Sequence, residues 1–328
     1  MGNTPAKPAE NAVDGVVVGA IGTAVLLACL LPLFVGDYRL FQISLMFAYA
    51  VALFGLNMLT GYNGQISLGH GAFFAIGAYC AAILMDKAGW PYWATIPVAG
   101  LVCLAAGFLF GLPALRLEGH YLALATFALA VATPQLLKHK VLEPWTGGSG
   151  GISVLKPEPP PGVPLSQDQW LYYFTLACVI TLFVLGWNLL RGRVGRALMA
   201  IRDQPTAARA MGIDTAMYKS LIFGVSAAYT GIAGALVTVM VQFASPDSFN
   251  VFLSITLIVG VVIGGLGSIS GAFYGAAFIQ FIPSVAEQVS KSAPWAIYGI
   301  LLIGFMYLMP DGVAGLTRLA RNWLKGRQ

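Results

Sequence analysis

Between residues 15 and 310 the sequence is a succession of apolar runs, each long enough to cross a lipid bilayer. A helix needs about 20 residues, within roughly 17–25, to span the hydrocarbon core. Ten runs meet that length, approximately 15–35, 40–60, 66–86, 91–112, 119–138, 169–190, 220–243, 250–268, 270–290 and 294–310. The chain is 58% hydrophobic and only 9% charged, against roughly 25% charged in an average soluble domain. Its mean hydropathy is +0.78. A soluble fold would have to leave much of that apolar surface in water, whereas a bilayer absorbs it. The predicted class is therefore an all-α polytopic membrane protein with about ten transmembrane helices. The segment "GGLGSISGAFYG" at 264–275 admits either a turn or a kink inside re-entrant segments, which leaves eight or nine full crossings as alternatives.

Orientation follows from the basic residues. With the N-terminus cytoplasmic, 12 Lys and Arg fall inside, six of them between Arg191 and Lys219 and four after residue 317, and 6 fall outside. The positive-inside rule then puts both termini in the cytoplasm. Residues 1–14 read as a cytoplasmic tail, 15–310 as the membrane domain and 311–328 as a basic cytoplasmic tail. The first 14 residues lack the basic flank and cleavage pattern of a signal peptide, so the first span is expected to be retained. The formal charge of +5 is accounted for by topology, so no nucleic-acid partner is implied.

Two long loops acquire sides in this way. Residues 139–168 lie outside, with Pro157, Pro159, Pro160, Pro161 and Pro164 holding one part extended and "TGGSGG" permitting tight turns. The loop reads either as a solvated connection or as a dock for an external partner. Residues 191–219 lie inside. Pro205 suits the first position of a helix over 205–211, with Asp203 or Gln204 before it as cap, and Gly212 suits its end. Ala207, Ala208 and Met211 are expected to share a small apolar face. This segment is either a basic surface loop or a knob that fits a groove on a soluble partner.

The spans are nearly free of charge, with Glu287 near an outer end, and their deeper polar groups are neutral: Asn57, Gln135, Gln242 and Gln280. Proton-driven transport relies on intramembrane ionisable groups and is disfavoured; Na⁺ coupling through carbonyls and hydroxyls stays open. Paired carboxylates, a Ser/His/Asp set, a phosphate-binding loop and metal-ligand spacings are absent, so no enzyme, cofactor or metal is implied. Cys29, Cys80, Cys103 and Cys178 fall within apolar runs and read as small hydrophobes. What remains is a passive conduit, or a permease energised from outside itself.

"GYNGQISLGHGAFF" at 61–74 interrupts two spans. It reads either as a polar turn or as a broken helix whose start, capped by Ser67, carries Gly69, His70 and Gly71 into the membrane. The amides of such a start would suit a substrate carboxylate. His70 alone reads either as a hydrogen-bonded structural residue or as a ligand.

The stretches "GLNMLTGYNGQISLGHGAFFAIGAYCAAIL" (55–84), "RLEGHYLALATFALAVA" (116–132), "TGGSGGI" (146–152), "GRALMAIRDQPTAARAMGIDTAMYKSLIFGVSAAYTGIAGAL" (195–236) and "GGLGSISGAFYGA" (264–276) resemble the inner-membrane permeases of branched-chain amino-acid ABC importers, the LivM-type subunit most closely. The resemblance runs from about residue 40 to 310. It implies a multi-pass subunit of the bacterial inner membrane that works with a LivH-like second permease, two cytoplasmic ABC ATPase subunits and a periplasmic binding protein. The resemblance makes the 61–74 stretch a signature of such permeases without naming the atom that touches substrate; the broken-helix reading of that stretch gives Asn57, Gly61, Gly64, Gln65, Ser67, Gly69 and His70 as the candidate substrate-path residues. ATPase coupling would fall to Arg196, Arg202, Asp203, Ala207, Ala208 and Gly212, and binding-protein docking to Trp145, Thr146, Gly147 and Gly148. Relatives of this type are also associated with urea, short amides and aromatic acids. A stand-alone channel is the alternative of a different class.

Overall fold

The computed structural model describes residues 19, 22–114, 120–162, 164–289, 294–309 and 312–315. The expected tail 1–14, Arg116 and most of the expected tail 311–328 lie outside the described residues. The helices are α1 (Gly22–Leu33), α2 (Asp37–Asn57), α3 (His70–Asp86), α4 (Tyr92–Ala114), α5 (His120–Leu137), the short α6 (Glu143–Thr146), α7 (Gln167–Arg191), α8 (Arg193–Asp203), α9 (Pro205–Ala210), α10 (Thr215–Val241), α11 (Val251–Gly264), α12 (Gly271–Val289) and α13 (Pro294–Leu308). Among the described residues, four helical stretches are long and apolar enough to cross a membrane: Asp37–Tyr62, Tyr92–Leu112, Gln167–Arg191 and Thr215–Val241.

Local chemistry fixes where these helices begin. Ser166 and Gln169 form a reciprocal capping box at the start of α7, each side chain accepting the other's backbone N–H. Asp214 accepts from the Ala216 and Met217 amides, so α10 starts at Thr215, five residues before the predicted 220. The segment 191–219 also holds more helix than expected. Val194, Ala197, Leu198 and Ile201 recur at i, i+3, i+4 and i+7, and the last three are buried as the inner face of α8.

α10 is the axle of the bundle and packs on α2, α3 and α4. In lipid, apolar side chains gain little from leaving one apolar medium for another, so helices associate where small residues let backbones touch. A Cβ at Gly77 of α3 would fall on the Gly231 carbonyl of α10, and one at Gly234 on the Phe74 carbonyl. On the α4 side, Gly107 abuts Ala227, and Gly224 lies under the Leu104 carbonyl. α11 and α12 form a hairpin by the same device: Gly264 meets the Gly271 carbonyl and Gly275 the Gly260 carbonyl. α11 has 14 residues, about 21 Å of helix, short of the ~30 Å hydrocarbon core.

The connections gather at two ends. At one, strand β1 (Ile152–Ser153) pairs antiparallel with β2 (Phe243–Ala244), Ile152 opposite Ala244. Lys138 reaches Asp247, and Lys156 pairs with Asp168 at 2.8 Å. Tyr172 donates to the Ala28 carbonyl at 2.8 Å, which ties α1 to the first turns of α7. The other end holds the 58–69 connection, α8, α9 and the 265–270 turn. The loop 139–168 is therefore folded down on the 242–250 segment.

Candidate functional site

The break predicted at 61–74 is a junction buried between helices. α2 does not stop at Asn57 but runs on through a π-helical turn, Met58–Tyr62, a local widening often found at functional sites. Gly64, at φ +73°, then turns the chain away. Helix α3 starts at His70 and not at 66, with Gly69 at the cap position. Ser67 stands two places further out. Its Oγ accepts the Gly69 amide at 3.3 Å.

Most of the predicted path residues meet a partner or a close neighbour from elsewhere in the fold, while Gln65 and Ser67 pair within the stretch itself. Asn57, 1% exposed, donates from Nδ2 to the Ser268 carbonyl at 2.7 Å and accepts the Gly267 amide on Oδ1 at 2.8 Å. Gly61 lies so close to Gly267 that a Cβ would meet its nitrogen. The Gly61 carbonyl accepts from Arg202 Nη1 at 2.8 Å. Gly64 lies under the Arg202 stem, and Gln65 Oε1 accepts from Asn63 Nδ2 at 2.8 Å. His70, fully buried, is held through both ring nitrogens, Nδ1 to Ser67 Oγ at 2.9 Å and Nε2 to Ser226 Oγ at 2.6 Å. Ser226 Oγ donates onward to the Gly55 carbonyl at 2.7 Å. A neutral imidazole protonated on Nε2 satisfies every group in this chain.

At the start of α3, where the amides were expected to face a carboxylate, those of Leu68, Gly69 and Gly71 are occupied. Leu68 N–H goes to Thr126 Oγ1 at 2.9 Å and Gly71 N–H to Ser254 Oγ at 2.9 Å, while Gly69 N–H is taken by Ser67. The stretch thus binds α2 and α3 to α5, α8, α10, α11 and the α11–α12 turn. It is a clamp in which most buried polar groups are spent inside the chain, Thr60 Oγ1 and Asn63 Oδ1 being the exceptions within the stretch. Among the described residues every buried polar side chain is neutral, from Ser44 to Ser268.

Asn57→Ala would strip partners from a buried amide and a buried carbonyl, at about 1–3 kcal/mol. The expected result is a lower thermal unfolding midpoint in detergent than for the unaltered chain. An unchanged midpoint would mean that these groups find water or other partners.

The predicted helix at 205–211 is present as α9, with Gln204 at its cap position and Gly212 at φ +81° just beyond it. Its expected apolar face divides. Ala208 is buried, whereas Ala207 is exposed and Met211 is 83% exposed. The reason is rotational: 207 and 211 are four residues apart and share one face, while 208 lies about 100° round from 207. Arg196 donates to the Arg191 carbonyl at 3.4 Å, and Arg202 Nε to Asp203 at 3.0 Å. At the opposite end Trp145 is 57% exposed. Thr146 is buried, its Oγ1 donating to the Leu137 carbonyl at 2.7 Å. Gly147 and Gly148, both at positive φ, make the turn that follows. Only the tryptophan of this set offers a side chain to a partner.

A family model described as "Branched-chain amino acid transport system / permease component" matches residues 38–309, from the start of α2 to the end of α13. The chain belongs to this family. Among curated relatives of the permease, the high-affinity branched-chain amino acid transport system permease protein LivM of Salmonella typhimurium is 32% identical over 308 residues, covering 85% of this chain and 72% of the relative. BraD of Pseudomonas aeruginosa, a permease protein of the same description, is 24% identical over 284 residues, 81% of this chain and 91% of the relative. The autoinducer 2 import system permease protein LsrC of Salmonella choleraesuis is 28% identical over 245 residues, 69% and 66% of the two chains. No solved structure matches the permease.

Proposed function

We propose that this chain is the LivM-type permease subunit of an ATP-driven importer of branched-chain amino acids in the bacterial inner membrane. It forms half of a conduit whose other half is a LivH-like permease. Two cytoplasmic ABC ATPase subunits energise it, and a periplasmic binding protein delivers substrate. The observation that carries this reading is the family match over 38–309, which takes in both the 57–71 junction and α9. Ten spans with cytoplasmic termini remain the topology of choice. The shared end of 139–168 and 242–250, opposite α8, α9 and 265–270, supports that alternation. ATP-driven uptake of leucine by the assembled complex tests the function.

In this reading the conduit wall near α3 is rigid, and the 57–70 side chains shape the wall without serving as ligands. The exposed apolar side chains of the external loop, Trp145 and Leu155 at 57% and 90% exposed, serve as the dock for the binding protein. Replacing both by aspartate leaves the loop's internal bonds intact. It is expected to lower binding-protein-stimulated ATP hydrolysis about tenfold, the effect of losing ~1.4 kcal/mol of binding. Unchanged stimulation would remove the docking role.

A further inference from the structure

Arg202 joins two parts of the chain 141 residues apart, Nη1 donating to the Gly61 carbonyl at 2.8 Å. The geometry around this bond is built for an arginine. Within the turn the Gly64 amide goes to the Thr60 carbonyl and the Gln65 amide to the Leu59 carbonyl, so Arg202 supplies the donor for Gly61. A Cβ at Gly64 would come within 2.9 Å of Arg202 Cγ, so the absence of a side chain there makes room for the arginine stem. Gly267, on the far side, would bring a Cβ to 4.0 Å from Nη1. Asp203 holds Nε at 3.0 Å and so aims the fork. That ion pair is exposed, 40% and 65% for the two side chains, and exposed pairs contribute little. The bond to Gly61 is the one that joins separate elements.

On its own side Arg202 sits at the end of α8, with a single residue, Gln204, before Pro205 opens α9. Helix α8 is seated by Leu198 and Ile201, 0% and 1% exposed. In the last turn of α9, Arg209 Nε donates to Thr215 Oγ1 at 2.9 Å, which fixes that end to α10. Across the bond, Gly61 belongs to the clamp that Asn57 closes on Gly267 and Ser268.

We propose that Arg202 is a positioning residue that carries displacement of the α8–α9 segment into the 57–71 junction through the Gly61 carbonyl. It does so as an internal strut and not as part of the surface that meets the ATPase. The proposal rests on α9 being the ATPase contact. A planar guanidinium can hold Asp203 and Gly61 with different nitrogens at once, which a lysine ammonium on a flexible stem does poorly.

The test uses the complete transporter in proteoliposomes, with uptake and ATP hydrolysis measured together for the native complex and for Arg202→Ala, Arg202→Lys and Arg202→Met. The expected result is a fall in substrate carried per ATP of at least about tenfold for Ala and Met, with partial recovery for Lys, which keeps a donor. A residue acting only at the ATPase surface would lower uptake and hydrolysis in proportion and leave the ratio unchanged, which would overturn the proposal. Backbone hydrogen exchange supplies the second readout, taken with and without a non-hydrolysable ATP analogue. In the native complex both 205–212 and 61–69 should respond; in the Met variant only 205–212 should. Equal responses at 61–69 in the two complexes would overturn the strut alone. No response at 205–212 in the native complex would overturn the α9 contact on which it stands.

Discussion

Gly77→Val is expected to abolish accumulation of the folded permease. The Cβ at this position falls on the backbone carbonyl of Gly231, and a backbone cannot swing aside as a flexible side chain can. Relief requires α3 and α10 to separate. The same pair of helices meets again where Gly234 lies against the Phe74 carbonyl, so the separation spreads along the interface. Close backbone approach is what holds apolar helices together in lipid, and overpacking alone costs about 1–3 kcal/mol even where a core can adjust. The measurement is the yield of monodisperse protein in detergent, with Gly304→Val as the control, because nothing lies within 4 Å of a Cβ at Gly304. The expected outcome is a normal yield for the control and less than about a tenth of it for Gly77→Val. Normal yield of Gly77→Val would contradict the α3–α10 contact.

The same interface explains how much of the fold was legible in the sequence. Hydropathy located the long spans, because transfer of apolar residues into lipid is a sum along the chain and needs no knowledge of neighbours. It was silent on which helix meets which. α10 carries apolar residues on most of its surface, and its faces toward α3 and α4 are marked by Gly224, Ala227, Gly231 and Gly234, a pattern of small size more than of polarity. Pro205 and Gly212 were readable because proline and glycine punctuate helices through their own backbone chemistry. α8 was also readable, from Val194, Ala197, Leu198 and Ile201, but the density of arginines around it suggests a loop. The junction was legible as an anomaly and not as a clamp. Asn57 and its partner Ser268 are 211 residues apart, and nothing in either local sequence names the other.

Met211→Asp is expected to lower ATP-driven uptake at least tenfold while leaving accumulation of the folded permease unchanged. Met211 is 83% exposed and is joined on that face by Ala207, an apolar ridge on a helix otherwise bounded by Arg209 and Gly212. In the free chain a carboxylate there stays in water and costs almost nothing. In a desolvated groove on an ATPase subunit it would be buried without a partner, at roughly 3–5 kcal/mol. Co-purification of the ATPase subunits with the permease reads the effect directly. Undiminished association together with undiminished uptake would remove α9 from the contact and leave it a surface helix.

The central claim is that this chain is half of a conduit that moves substrate only when ATP is hydrolysed on partner subunits. The most direct measurement is leucine accumulation in proteoliposomes, comparing this chain alone with the full set of permeases, ATPase subunits and binding protein. The account predicts accumulation against a gradient by the complete assembly with ATP, and none by this chain alone or without ATP. Leucine flow down its gradient through this chain alone, unaffected by ATP or the ATPase subunits, would contradict it.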